Sequence, residues 1–265
     1  MRYLLVTTAV LFTLAVPAAA SAETLQSQID VTSPQSTPSQ NFETSFDRFD
    51  AVAADDFAVP AGEVWELESA FIRGNNFGAS TTSSFNVGVL IDNGGLPGTA
   101  VHTETVTVTG YPDPTIPLTN VPVLDAGVYW LSVQANLNGD SSANPQQWFW
   151  AENDDLFGNP AAYTNPGGGF SNSCQAGFGQ RRLCLPDHPA PDQSWALTGT
   201  RTETTDPACE PAKAKLEQAK KKLKKAKADL RSAGNTRLKQ KAQEAVNKAK
   251  DKLDGARQKV KEACS

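Results

Sequence analysis

The sequence predicts a mostly β protein, an antiparallel β-sandwich of jelly-roll-like kind, followed by an antiparallel α-helical hairpin. Three observations carry this reading. Short β-rich runs separated by turn residues fill residues 46–205, with no helical period among them. A Leu/Ala rhythm repeating every seven residues begins at Cys209. Charge divides at the same boundary: residues 23–205 hold five Arg, no Lys and 21 acids, whereas residues 206–265 hold 18 Lys plus Arg against eight acids. Two units with different surfaces follow from that asymmetry.

The β-rich runs are residues 51–59, 64–73, 84–92, 100–109, 127–137, 146–151 and 194–201. Each alternates or runs apolar, and turn formers such as Pro60-Ala61-Gly62, Asn93-Gly94-Gly95 and Asp125-Ala126-Gly127 bound them. Seven or eight strands with no helix between them imply a sandwich or jelly roll. Residues 23–45 are rich in Ser, Thr, Gln and Pro and are expected to form a flexible leader.

In the tail, Leu216, Leu223 and Leu230 follow Cys209 at intervals of seven, with Ala212, Ala219, Ala226 and Ala233 between them and Lys elsewhere. Pro211 suits a first helical position, and Gly234-Asn235 breaks the helix. A second stripe then runs through Leu238, Ala242, Ala245, Ala249, Leu253, Ala256 and Val260. Neither stripe can bury its apolar side alone, so the two helices are expected to lie antiparallel. That fold brings Cys209 opposite Cys264. The remaining cysteines, Cys174 and Cys184, bracket a Gly-rich loop and are expected to pair with each other. Zinc is disfavoured because neither a CxxC nor a nearby His pair accompanies them.

Residues 1–22 read as a signal peptide: Arg2, an apolar stretch over residues 3–16, Pro17, then Ala20, Ser21 and Ala22. The stretch is shorter than the roughly 20 residues a bilayer span requires. The expectation is a secreted, extracellular protein, with no membrane span after cleavage and any wall association non-covalent.

Chemistry is sparse. The chain has only two histidines, His102 and His188, and lacks GxSxG, HExxH and P-loop patterns. A non-catalytic protein is expected; the alternative is a secreted glycoside hydrolase using a carboxylate pair. Asp55, Asp56, Asp92, Asp154 and Asp155 sit near strand ends, where oxygen ligands would suit a structural Ca²⁺, or where Asp simply starts turns. Trp148 and Trp150 fall on one side of a strand, where they either fill the core or stack on sugars. Tyr163 and Phe170, near the Cys174–Cys184 loop, are candidates for a recognition rim. The Lys-rich hairpin reads as a solvated coiled coil that acts as a stalk or docks against its own acidic domain, or else as a contact for an anionic partner such as a wall polymer. No aromatic interleaves with the Lys, which argues against nucleic acid.

The runs Ala54-Asp55-Asp56-Phe57-Ala58-Val59-Pro60, Ile91-Asp92-Asn93-Gly94-Gly95-Leu96-Pro97-Gly98, Gly127-Val128-Tyr129-Trp130-Leu131-Ser132-Val133 and Ser194-Trp195-Ala196-Leu197-Thr198-Gly199-Thr200 carry a family resemblance. The region is similar to secreted bacterial β-sandwich modules that precede PEP-CTERM-like or other choice-of-anchor sorting tails. The resemblance implies an exported location and a sandwich fold, and it leaves the activity open. Here the module is followed by a basic hairpin in place of a sorting signal. The expected function is thus a secreted binding or structural protein of the cell-envelope space, directed at a glycan or an anionic wall polymer.

Overall fold

Alternation along the strands becomes two facing layers. The computed structural model describes residues 22–264 apart from 31–32, 78–81, 83, 138–146, 171–172 and 205–208, so the signal-peptide expectation lies outside the described residues. In chain order the strands are β1 (Glu23–Ser27), β2 (Ser36–Pro38), β3 (Gln40–Asn41), β4 (Val52–Val59), β5 (Glu63–Ile72), β6 (Gly74–Phe77), β7 (Ser84–Asp92), β8 (Pro97–Thr107), β9 (Thr115–Pro117), β10 (Gly127–Asn136), β11 (Gln147–Asn153), β12 (Ala162–Thr164), β13 (Gly179–Gln180), β14 (Asp192–Gln193) and β15 (Trp195–Glu203). The helices are a single turn α1 (Arg181–Cys184) and the long α2 (Cys209–Ser232) and α3 (Thr236–Ala263).

One layer is a seven-stranded sheet ordered β13-β12-β4-β10-β7-β8, with β3 added parallel to β10. The other consists of two four-stranded sheets, β1-β15-β5-β9 and β14-β11-β2 with β6 on β11. Inward residues Phe57, Val87, Val89, Leu131 and Val133 of the large sheet share one core with Trp65, Leu67, Ile72, Trp148, Trp150, Trp195 and Leu197. Phe57 joins the layers: its ring stacks on Trp65 at 6.3 Å between centroids and meets the edge of Trp195 at 6.3 Å, the offset and edge arrangements that aromatic quadrupoles favour.

The leader expectation is corrected. Its first residues form β1, which pairs along β15 from Glu23↔Gly199 to Ser27↔Ala196, and β2, β3 and a 3-10 turn (Thr44–Phe49) follow. Composition misleads here because a strand at a sheet edge is held by backbone bonds and needs few apolar side chains of its own. The 3-10 turn and α1 are likewise helical turns within a region expected to have none.

The hairpin forms as the heptads require. Asn235 caps α3, its Oδ1 accepting from the Leu238 amide at 2.9 Å, which satisfies one otherwise orphaned donor. The buried seam consists of Ala212, Ala219, Val246, Ala249 and Leu253, with Cys209 at its open end, while Leu216, Leu223 and Leu230 are only half-buried. Both expected disulfides are present, Cys174–Cys184 and Cys209–Cys264.

Because the seam is largely Ala, it removes little apolar area from water. The Cys209–Cys264 bond closes 55 residues, and a loop of that size contributes about 4 kcal/mol through the entropy of the unfolded chain. Replacing both cysteines by Ser in the full chain should therefore melt the helical signal in far-UV circular dichroism well before the sandwich unfolds. Unchanged helical melting would show that the seam alone suffices.

Candidate functional site: a buried carboxylate–arginine network and a lysine-edged hairpin

Strand β4 places Asp55 inward, where an apolar residue is expected. Its side chain is fully buried, and its Oδ2 accepts from Gln28 Nε2 at 2.6 Å, the Gln193 amide at 2.9 Å and Trp195 Nε1 at 2.9 Å. Burial, reinforced by the neighbouring charge of Asp192, pushes the Asp55 carboxyl well above the ordinary carboxylate range. Asp192, at the start of β14, accepts from the Phe157 amide, and burial pushes its pKa up to about 7.

A second group forms around Glu152 on β11. Its Oε1 lies 2.7 Å from Arg181 Nη1, 2.6 Å from His188 Nδ1 and 3.0 Å from the Thr37 hydroxyl, which donates to it. Arg181 and Glu152 are both completely buried. Arg181 also donates to the Thr37 hydroxyl at 2.8 Å and to the Ala190 carbonyl. Burial lowers its pKa, opposed by the charges of Glu152 and Asp55. Among the described residues Glu152 Oε2, Arg181 Nε and Asp192 Oδ1 have no hydrogen-bond partner. These bonds join the first strands of the chain to the last of the sandwich and so clamp them together; Glu152 and Arg181 are enclosed, while the His188 side chain is 25% exposed.

Of the acids expected to hold Ca²⁺, Asp55, Asp56 and Asp92 accept internal hydrogen bonds. Both Asp56 carboxylate oxygens accept from the Asn159 amide, at 3.0 and 3.1 Å. Asp92 Oδ1 accepts from Trp130 Nε1 at 2.9 Å and, with Oδ2, from the Gly95 amide. Asp154 and Asp155 are exposed. Among the described residues no group of three or more His, Cys, Asp or Glu is placed to hold a metal ion. Asp56 and Asp92 thus serve as loop and turn acceptors.

The aromatic candidates are also relocated. Trp148, Trp150 and Tyr163 are fully buried; Trp148 donates to the Pro112 carbonyl at 2.9 Å and Trp150 to that of Ser194 at 3.0 Å. No face of these rings is open to a sugar. Their shared side of β11 is the core side because two indoles fill sandwich volume while each N–H still finds a carbonyl. Phe170 is half-buried and meets Phe49 edge-on at 5.4 Å, so it extends a row of phenylalanines from the 3-10 turn.

The hairpin supplies the strongest charged surface. A groove of about 1000 Å³ runs between α2 and α3; Ala219, Ala249 and Gly255 line it, together with Lys215, Lys222, Lys248, Lys252 and Lys259. These five Lys are exposed.

Sequence reasoning missed Gln28, Glu152, Arg181, His188 and Asp192 as one assembly. The available signal was Arg181 itself, one of five positive residues in a lysine-free domain, since a buried cation requires carboxylates around it.

Two outcomes follow. Folded Asp192 holds its proton up to about pH 7, whereas the unfolded carboxyl titrates near 3.8. The folded state therefore binds more protons over that window, and stability is lost as pH rises through it. Melting temperature should fall between pH 5 and pH 8, and Asp192→Asn should flatten the dependence; a melting temperature that rises over this range would refute the assignment. Arg181→Leu strands Glu152 without its cation and should cost about 3–5 kcal/mol in urea unfolding, with part recovered by adding Glu152→Gln. A loss within 1 kcal/mol of zero would be inconsistent with the clamp.

No protein-family model matches the chain, and no curated protein matches it. Two solved structures are similar to part of it. One comprises the cysteine protease and lectin-like domains of Cwp84, a surface layer associated protein of Clostridium difficile, with 16% identity, a TM-score of 0.36, and coverage of 57% of this chain and 32% of that one. The other is the clostridial cysteine protease Cwp84 after propeptide cleavage, with 16% identity, a TM-score of 0.35, and coverage of 57% and 36%. The chain thus spans about a third of the length of these structures, and at such TM-scores the likeness stands as similarity alone.

Proposed function

We propose that this is an exported, non-catalytic protein of the cell-envelope space that is retained on an anionic surface polymer by its helical hairpin. The observation that carries the reading is the segregation of charge. Every Lys of the chain lies in residues 206–265, on two helices whose outer faces are exposed, while residues 23–205 carry 21 acids against five Arg. A polyanion is attracted to the hairpin and repelled by the sandwich.

Two further facts support the reading. The two disulfides suit an oxidising compartment, in keeping with the signal-peptide pattern. The buried carboxylates Asp55, Asp192 and Glu152 are occupied with internal hydrogen bonds, which favours a scaffold over a hydrolase that works through a carboxylate pair in an open cleft. Glycan contact through Trp148, Trp150 or Tyr163 has no exposed ring to carry it, so the hairpin is the better-supported contact.

Full-length protein should be retained on cell walls bearing phosphate-rich polymers. Raising salt from about 50 to about 200 mM should release it, with log affinity falling linearly against log salt. Retention that ignores salt, or none at low salt, would remove the proposal.

A further inference from the structure

We propose that the groove between α2 and α3 is a track for one linear, phosphate-bearing polyanion, which lies lengthwise over the alanine floor between facing lysines. This rests on the hairpin reading above and makes it specific: the polymer is bound in a defined channel, where a diffuse positive coat would hold it anywhere on the surface.

The register places the cations. Cys209 and Cys264 are joined, and the helices run antiparallel from that bond. Lys215 is six residues beyond Cys209 and Lys259 five before Cys264, so they stand at the same level; Lys222 and Lys252 do so thirteen and twelve residues in. All four line the groove, and Lys248 is a fifth lysine on its α3 wall. Two lysine pairs therefore face one another across it, about 10 Å apart along the axis. The acid on this wall, Glu262, stands at the disulfide end and accepts from Gln258 Nε2 at 2.9 Å.

Gly255 lies on the same wall of the groove. Glycine disfavours a helix interior relative to the alanine used throughout this hairpin. No packing neighbour calls for it here, since a Cβ built at Gly255 meets nothing within 4 Å. What its missing side chain leaves is clear space between Lys252 and Lys259.

Charge decides between occupants. The groove spans Pro211 to Ala226 on α2, about 22 Å of helix, and its walls carry Lys215, Lys222, Lys248, Lys252 and Lys259 against one acid, Glu262, which suits an extended polyanion. The hairpin contains no aromatic residue on which bases could stack, which favours a polymer without bases.

The test uses the oxidised full chain and linear inorganic polyphosphate, with affinity read by calorimetry and helicity by circular dichroism. Three variants are compared: Gly255→Trp, which fills the track and keeps every charge; a quadruple Lys→Gln change at Lys215, Lys222, Lys252 and Lys259; and a quadruple Lys→Gln change at Lys221, Lys225, Lys241 and Lys250, which lie outside the groove. The first two should each weaken binding by about tenfold or more and the third by less than about threefold. Equal loss for both quadruple variants, with Gly255→Trp unaffected, would overturn the track while leaving the hairpin reading intact. Orthophosphate binding as tightly as the polymer would overturn the linear occupant, and tighter binding of an acidic amphipathic peptide, blocked by Gly255→Trp, would assign the groove to a protein helix. Wild-type protein that binds no polyanion would end both proposals.

Discussion

The buried carboxylate of Asp55 is the constraint around which the sandwich closes. Three donors converge on one of its oxygens: Gln28 from the N-terminal segment, the backbone of Gln193, and the indole of Trp195. Those groups lie 27, 138 and 140 residues away in sequence, so the carboxylate can be satisfied only when both ends of the domain have arrived. A carboxylate left without these partners in an apolar interior would be strongly disfavoured, which makes the correct arrangement of β1, β4 and β15 a condition of burial rather than one arrangement among several.

The Glu152–Arg181 pair extends the same logic to the short strands. A buried ion pair is weak evidence for stability in itself, because desolvation offsets much of the attraction. Its value lies in specificity: Arg181 reaches Glu152, Thr37 and the Ala190 carbonyl at once, and only a planar fork of donors can do so from one position. The one-turn helix α1 exists to aim it. Just beyond, Cys184 at the end of that turn is tied to Cys174, which fixes the loop on the far side.

The hairpin obeys a different physics. Its seam of small residues allows close helix approach but leaves little apolar area, so a covalent closure and a capped turn hold what packing alone would hold poorly. The same choice of alanine that weakens the seam opens the groove, because methyl groups cannot fill the space between two helices whose lysines stand outward. The weak seam and the groove therefore draw on one compositional fact: Lys and Ala are concentrated where the sandwich has none of the former.

The alternation from residue 51 onward determined the principal strands, and the boundaries of β7 and the start of β10 coincide with those read from the chain. The heptads and Gly234-Asn235 determined the hairpin, and cysteine placement determined both disulfides. These are local signals, written in residues close together in sequence. Tertiary structure decided the rest. Glu23–Ser27 became a strand because β15 offered a free edge; Trp148 and Trp150 became core because a second layer covers them, and Tyr163 because Cys184, Leu185 and Phe170 pack over it; Asp55, Glu152, Arg181 and Asp192 became one network because distant strands carry them inward. A strand's period tells which side chains share a face, but what lies against that face is set by partners far away along the chain, and no local pattern encodes them.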